Sequence, residues 1–369
     1  MTNLRIPGPT PVPDDVLQAG ARPMIDHRGR VFGEILNRVT DRLKHFFQTK
    51  NDVYKLTCSG TGGMEAAVVN TLSPGDRVLV ISIGAFGDRF ASICEAYGAE
   101  VTRLNFEWGT AADPEEVRKA LAADPAIKAV LVTHNETSTG VTNPLADIAR
   151  VVREYDKLLL VDAVSSLGSV PFYTDDWGID FAATASQKGW KVPPGLAMVS
   201  VSQRAWDAFA KSKMPRFSLD IGKAKDYLGR SQTPWTPPLS VVFALDYALE
   251  GLEREGLENI YARHQRIGDM TRRGVKDLGL ELLADERFAS NTVTAVKIPE
   301  GVEVKALRSL VENEYDMVLA GGQGKLQGKI FRIGHLGAVN DDDIRSCLDI
   351  LAKALPRVGY AIPAGRSGS

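Results

Sequence analysis

At 369 residues the chain is longer than one hydrophobic core comfortably fills, so two domains are expected. Its 44% hydrophobic and 24% charged residues are those of an ordinary globular protein, and a formal net charge of −2 offers nucleic acid no basic footprint. No apolar run approaches the roughly 18 residues of a membrane span, and Cys58, Cys94 and Cys347 show neither zinc-type spacing nor a disulfide framework, so a cytoplasmic protein is expected.

The N-terminus leads without an apolar signal segment into Ile6-Pro7-Gly8-Pro9-Thr10-Pro11-Val12-Pro13. These prolines exclude helix and predict an extended segment, residues 1–25, lying across a surface. From residue 54 short apolar strands alternate with amphipathic helices, as in a mainly parallel sheet. Strands are expected at 53–57, 77–82, 100–104, 128–133, 158–161, 179–184 and 196–201. Helices are expected at 62–72, through Phe86, Phe90, Ile93 and Tyr97, and at 113–123 and 144–155. The last two strands lack helical spacers. Pro237-Pro238 opens a long helical region to about residue 276. Beyond it a strand at 291–298, a helix at 303–314, strands at 316–320 and 329–334 and a helix at 341–355 form a small α+β unit. The expected domains are therefore 26–275 and 276–360, with a solvated tail at 361–369.

The chemistry is concentrated where apolar strands end. Leu158-Leu159-Leu160-Val161 closes on Asp162, and the run from Ile179 to Ala185 is followed by Ser186-Gln187-Lys188. A carboxylate and an amine closing consecutive buried strands meet in the crevice where an open α/β sheet binds its ligand. Together they fit pyridoxal phosphate (PLP), whose ring nitrogen needs an acid and whose aldehyde needs a lysine. Read singly, Asp162 serves equally as a helix N-cap and Lys188 as a solvated lysine. Lys191 is the rival amine, but the strand–turn placement favours Lys188. Ser59-Gly60-Thr61-Gly62-Gly63 lies between a strand and a helix, where free N–H groups and the helix dipole suit a single phosphate. A dinucleotide loop would need a third glycine at Glu65, which counts against a nicotinamide oxidoreductase. Arg332, in the otherwise apolar Ile330-Phe331-Arg332-Ile333, reads either as a structural ion-pair partner or as a clamp for a substrate carboxylate.

Taken in order, seven segments resemble the class V aminotransferases of PLP fold type I, within them the alanine–glyoxylate and serine–glyoxylate (serine–pyruvate) group. They are Pro7–Pro11, Ser59–Gly63, Gly84–Gly87, Thr133–Gly140, Val161–Gly168, Ser186–Lys188 and Phe331–Gly334. The resemblance implies a seven-stranded, mainly parallel sheet with helices on both faces and a smaller C-terminal α+β domain. It implies that Lys188 carries PLP as an imine, that Asp162 binds the pyridine nitrogen, and that Phe86 and Val164 pack on the two ring faces. Thr61, Gly62, Gly63 and Gln187 would hold the phosphate, and Thr137 the phenolic oxygen. Arg332 and Gly8 would face the substrate. A homodimer is implied, with Thr236 lent to the partner's phosphate and Thr233 standing where some relatives carry tyrosine.

The expected reaction is ping-pong transfer of an amino group from alanine or serine to glyoxylate or pyruvate. The rivals are an aspartate or phosphonate-amine transaminase, a cysteine desulfurase or lyase, and a non-catalytic PLP-binding protein. His27, His134 and His335 are expected to be structural.

Overall fold

The computed structural model describes residues 3–363; the Gly365–Ser369 stretch of the expected tail lies outside them. The first part of the chain gives β1 (Asn3–Arg5), α1 (Asp14–Gly20), α2 (Arg30–Phe47), β2 (Val53–Leu56), α3 (Gly60–Thr71), β3 (Arg77–Ser82), α4 (Ala85–Ala96) and β4 (Glu100–Asn105). Then come α5 (Pro114–Ala123), β5 (Ala129–Thr133), the two-residue strands β6 (Asn135–Glu136) and β7 (Val141–Thr142), α6 (Leu145–Glu154), β8 (Leu158–Asp162), β9 (Phe181–Ala185) and β10 (Ala197–Val201). The remainder supplies α7 (Gln203–Phe209), α8 (Ile221–Leu228), α9 (Leu239–Glu255), α10 (Leu257–Asp277), β11 (Val293–Lys297), α11 (Val304–Tyr315), β12 (Met317–Gly321), β13 (Ile330–Gly334) and α12 (Asp341–Ala354).

Seven strands form the large sheet in the order β2-β10-β9-β8-β5-β3-β4. Only β10 runs against its neighbours. β5 and β9 are buried along their whole length, and β3 and β8 at all but their first residue, as expected of a sheet covered by helices on both faces. Two apolar cores lie on the sheet's two faces. The antiparallel return explains why β9 and β10 need no helix between them. That link, 186–196, starts at the carboxyl end of β9 and carries Lys188.

A second sheet, β1-β12-β13-β11, packs with α11 and α12 around its own core. The capping box of Asn340 and Asp343 starts α12.

Three expectations need correction. The segment 1–25 is not extended throughout: once past Pro13 the chain forms α1. Its first part is also not merely laid on a surface, because β1 pairs in parallel with β12 and Arg5, Pro7 and Thr10 are buried. The long helical region is present as expected and is made of two helices that meet at Gly256, whose φ of +82° suits glycine. Ser59 caps α3 and starts it at Gly60, two residues early. In α4 the buried face runs through Gly87, Phe90, Ala91 and Cys94, which leaves Phe86 half-buried at its edge.

Candidate active site

The site lies at the carboxyl ends of β5, β8 and β9. Asp162 ends β8, which runs parallel to β9 in the register Asp162 to Ala183. Its carboxylate is 3% exposed and accepts from the Val164 N–H at 3.0 Å and the Thr133 hydroxyl at 3.1 Å. Burial pushes its pKa up, against the pull of these two bonds and of the charges of Lys188 and Arg89. An acid so enclosed is an unfinished ion pair, and a protonated pyridine nitrogen would complete it.

Lys188 is 9% exposed, and its amine donates to the Pro7 carbonyl at 2.7 Å. Burial lowers its pKa from the usual 10.5 to about 8, although Asp162 opposes the shift. Thr10 straps the N-terminal segment to this turn, its N–H donating to the Gln187 carbonyl and its hydroxyl to the Lys188 carbonyl. Gly8 sits directly on the amine: a Cβ there would lie 2.4 Å from Lys188 Nζ. The rival Lys191 is committed elsewhere, paired with Glu255 at 3.2 Å.

The start of α3 closes one wall. A Cβ on Gly60 would come within 2.8 Å of Val164, and one on Gly63 within 3.2 Å of Ala183 and Ala197 on the sheet. Glycines therefore bring the helix N-terminus down to the crevice and leave Val164 beside it. Gln187 has a buried amide oxygen with no partner. A half-turn of that amide presents an N–H donor at the same place. Phe86 opens α4 opposite, with the Arg89 guanidinium 4.6 Å from its ring centre.

Arg332, on β13, is 6% exposed and donates to the Thr137 carbonyl from Nη1 and to the Gly321 carbonyl from Nε, each at 2.9 Å. Among the described residues it has no ion-pair partner, contrary to its structural reading, and Nη2 bonds to nothing. Burial lowers its pKa to about 10, while the nearby Glu136 charge works the other way. Thr236 is the exception. It is exposed on a loop pinned by Arg28, which donates to the Thr233 and Pro234 carbonyls, and no bond joins it to the crevice.

Sequence reasoning missed Glu136 and Arg89. Glu136 is fully buried and accepts from the Phe86 and Gly87 N–H groups at 3.0 and 3.1 Å and from the Ser138 N–H and hydroxyl. It thereby ties the Thr137 loop to the start of α4. Arg89 carried a signal, lying three residues after Phe86 on the same helix face. His134 and His335 are buried and pushed down to about 3, and His335 spends its ring nitrogens on Thr294 and the Asn291 carbonyl. Among the described residues no group of three or more His, Cys, Asp or Glu is placed to hold a metal, and no helix is long and apolar enough to cross a membrane.

A buried lysine, an enclosed acid, a glycine-lined helix N-terminus and a free arginine around one crevice define a PLP enzyme of fold type I, and these residues fit that cofactor. The chain belongs to the aminotransferase class-V family, which it matches over residues 4–329, and it is a PLP-dependent aminotransferase. It is 46% identical to a Synechococcus sp. (strain PCC 6716) protein named soluble hydrogenase, small subunit, over 97% of this chain and 94% of that one. It is 38% identical to the L-aspartate–glyoxylate aminotransferase of Paracoccus denitrificans (strain Pd 1222), covering 98% and 92%. The solved alanine–glyoxylate aminotransferase from Nostoc sp. superposes with a TM-score of 0.93 at 33% identity, covering 96% and 95%.

Proposed function

We propose that this aminotransferase moves an amino group from a small neutral amino acid, alanine or serine, to a 2-oxo acid, glyoxylate or pyruvate, by ping-pong exchange. The observation that carries this is Arg332: a single buried guanidinium, steadied by two carbonyls and lacking an acidic partner, in the same crevice as the Lys188 amine. It clamps one carboxylate, which both an amino acid and its oxo acid possess.

PLP, when bound, supplies an aldehyde for exchange of amines and withdraws electrons from the substrate's Cα. Lys188 would anchor it through its amine and, with that amine free, would hold on Nζ the proton taken from the substrate's Cα. Asp162 keeps the pyridine nitrogen protonated. Val164 and Phe86 hold the two ring faces, and Thr137 the phenolic oxygen. Thr61, Gly62, Gly63 and Gln187 hold the phosphate. Gly8 leaves room for the amine and, with Arg332, faces the substrate. The same Nζ would carry the proton back in the second half-reaction, with an oxo acid held by Arg332, which makes the exchange ping-pong. Thr236 reaches a phosphate only in a second copy of the chain, so a homodimer with shared sites is part of this reading. Three free cysteines support a cytoplasmic setting.

Aspartate is the second reading for the donor, favoured by the name of the Paracoccus relative. A desulfurase would need a reactive thiolate. Here Cys94 and Cys347 are buried in helices and Cys58 follows β2, with burial raising Cys58 to about 11 and the others to about 12.

The test is the visible absorption of the PLP-loaded protein, titrated with single amino acids and no acceptor. Alanine or serine should bleach the band and glyoxylate restore it. Bleaching by aspartate alone would move the assignment to a dicarboxylic donor. An unchanged band with every donor would end the proposal.

A further inference from the structure

Taking the start of α3 as the phosphate cradle proposed above, we propose that Arg89 is the cation that neutralises the cofactor phosphate. The groups otherwise assigned to that cradle, Thr61, Gly62, Gly63 and Gln187, are all uncharged. A phosphate monoester carries about −1.5 to −2 charges at neutral pH, whereas a helix N-terminus offers only about half a positive charge. A dianion lowered among neutral donors is left under-compensated, and an arginine fork is the side chain whose geometry best matches it.

Arg89 is placed for that role by two contacts. Its Nη1 donates to the Thr61 hydroxyl at 3.2 Å, at the mouth of the cradle. Its guanidinium lies 4.6 Å from the centre of the Phe86 ring, which holds the side chain toward the crevice. Its charge is felt by both Asp162 and Lys188, the two groups that flank the cofactor ring. Of five N–H donors it uses one, and among the described residues it forms no ion pair. The acids of its own helix are engaged elsewhere: Asp88 accepts from the Ser82 hydroxyl and lies 3.8 Å from Arg103, and Glu95 pairs with Arg103 at 2.8 Å. Phe86 and Arg89, three residues apart, thus act together, the first on the ring and the second on the phosphate.

The test compares binding of PLP and of pyridoxal, which lacks the phosphate, to the cofactor-free protein by absorbance titration. Wild type should prefer PLP strongly. Arg89→Met keeps an apolar stem over Phe86 and removes the charge. It should weaken PLP about ten- to hundredfold, as loss of one charge-assisted bond does, and leave pyridoxal within about twofold. Arg89→Lys should recover most of the difference. Equal weakening of both ligands would show that Arg89 acts only through the Phe86 platform and would overturn the proposal, as would no effect on either. Thr61→Val serves as the control on the cradle. If it erodes the preference for PLP while Arg89→Met does not, the cradle stands and Arg89 has no part in it. Wild type that binds both ligands alike would refute the cradle and the role of Arg89 together.

Discussion

Gly8→Ala is the sharpest single perturbation of the site. Gly8 has φ +141°, a backbone conformation that residues with a Cβ rarely adopt. The added methyl would lie 2.4, 2.8 and 2.9 Å from Nζ, Cε and Cδ of Lys188. Ordinary contact begins near 3.4 Å, so the end of the lysine must retreat by about 1 Å. That displacement would break the 2.7 Å bond to the Pro7 carbonyl and move the amine off the position from which the proposed proton transfer would run. A misplacement of about 1 Å costs roughly 10²-fold in rate, and the forced backbone adds about 1–3 kcal/mol of strain. Stopped-flow half-reactions with alanine should therefore show transamination slowed about 100-fold, with the Tm lowered by a few degrees and the apparent donor affinity little changed. A variant with wild-type half-reaction rates would refute the placement of Gly8 against the amine.

Three further outcomes follow from the same crevice. Arg332→Lys replaces a fork by a point charge and cannot satisfy the Thr137 and Gly321 carbonyls and a carboxylate together. Steady-state kinetics should show KM for donor and acceptor rising about tenfold or more with a smaller loss in kcat, and unchanged KM values would remove Arg332 from the substrate site. In the cofactor-free protein the Lys188 amine loses its proton near pH 8, against 10.5 when unfolded. The rate of PLP capture should therefore level off above about pH 8 instead of climbing toward 10.5. The unfolded chain binds more protons between those values, so the penalty for this buried charge is felt in full below about 8 and fades as pH rises to 10.5. Thermal stability should rise across that window, and Lys188→Met should lose this part of the rise; an identical rise in the variant would contradict the assignment.

Much of this was legible in the chain because burial leaves a pattern. Strands that are apolar along their length stand out, and so do Asp162 and Lys188, polar groups where such strands end. Glu136 was hidden because, apart from neighbouring Ser138, its partners are backbone N–H groups some 50 residues away, which no spacing records. The carbonyl of Pro7 has no side-chain signature at all. β1 is three residues long, too short for any periodicity, and α1 stood in the shadow of the prolines before it. Arg332 was visible as an arginine in an apolar strand, but its lack of an acidic partner is a property of three dimensions. Thr236 shows the opposite limit, since the fold of one chain leaves it away from the crevice.

The N-terminal segment also has a mechanical consequence. β1 is hydrogen-bonded into the small sheet through Asn3, Leu4 and Arg5, and two residues later the Pro7 carbonyl grips the Lys188 amine. A tether this short has almost no slack. A shift of the small sheet, which also carries Arg332, would be passed along this short stretch to the Lys188 amine, so both side chains ride on one length of chain.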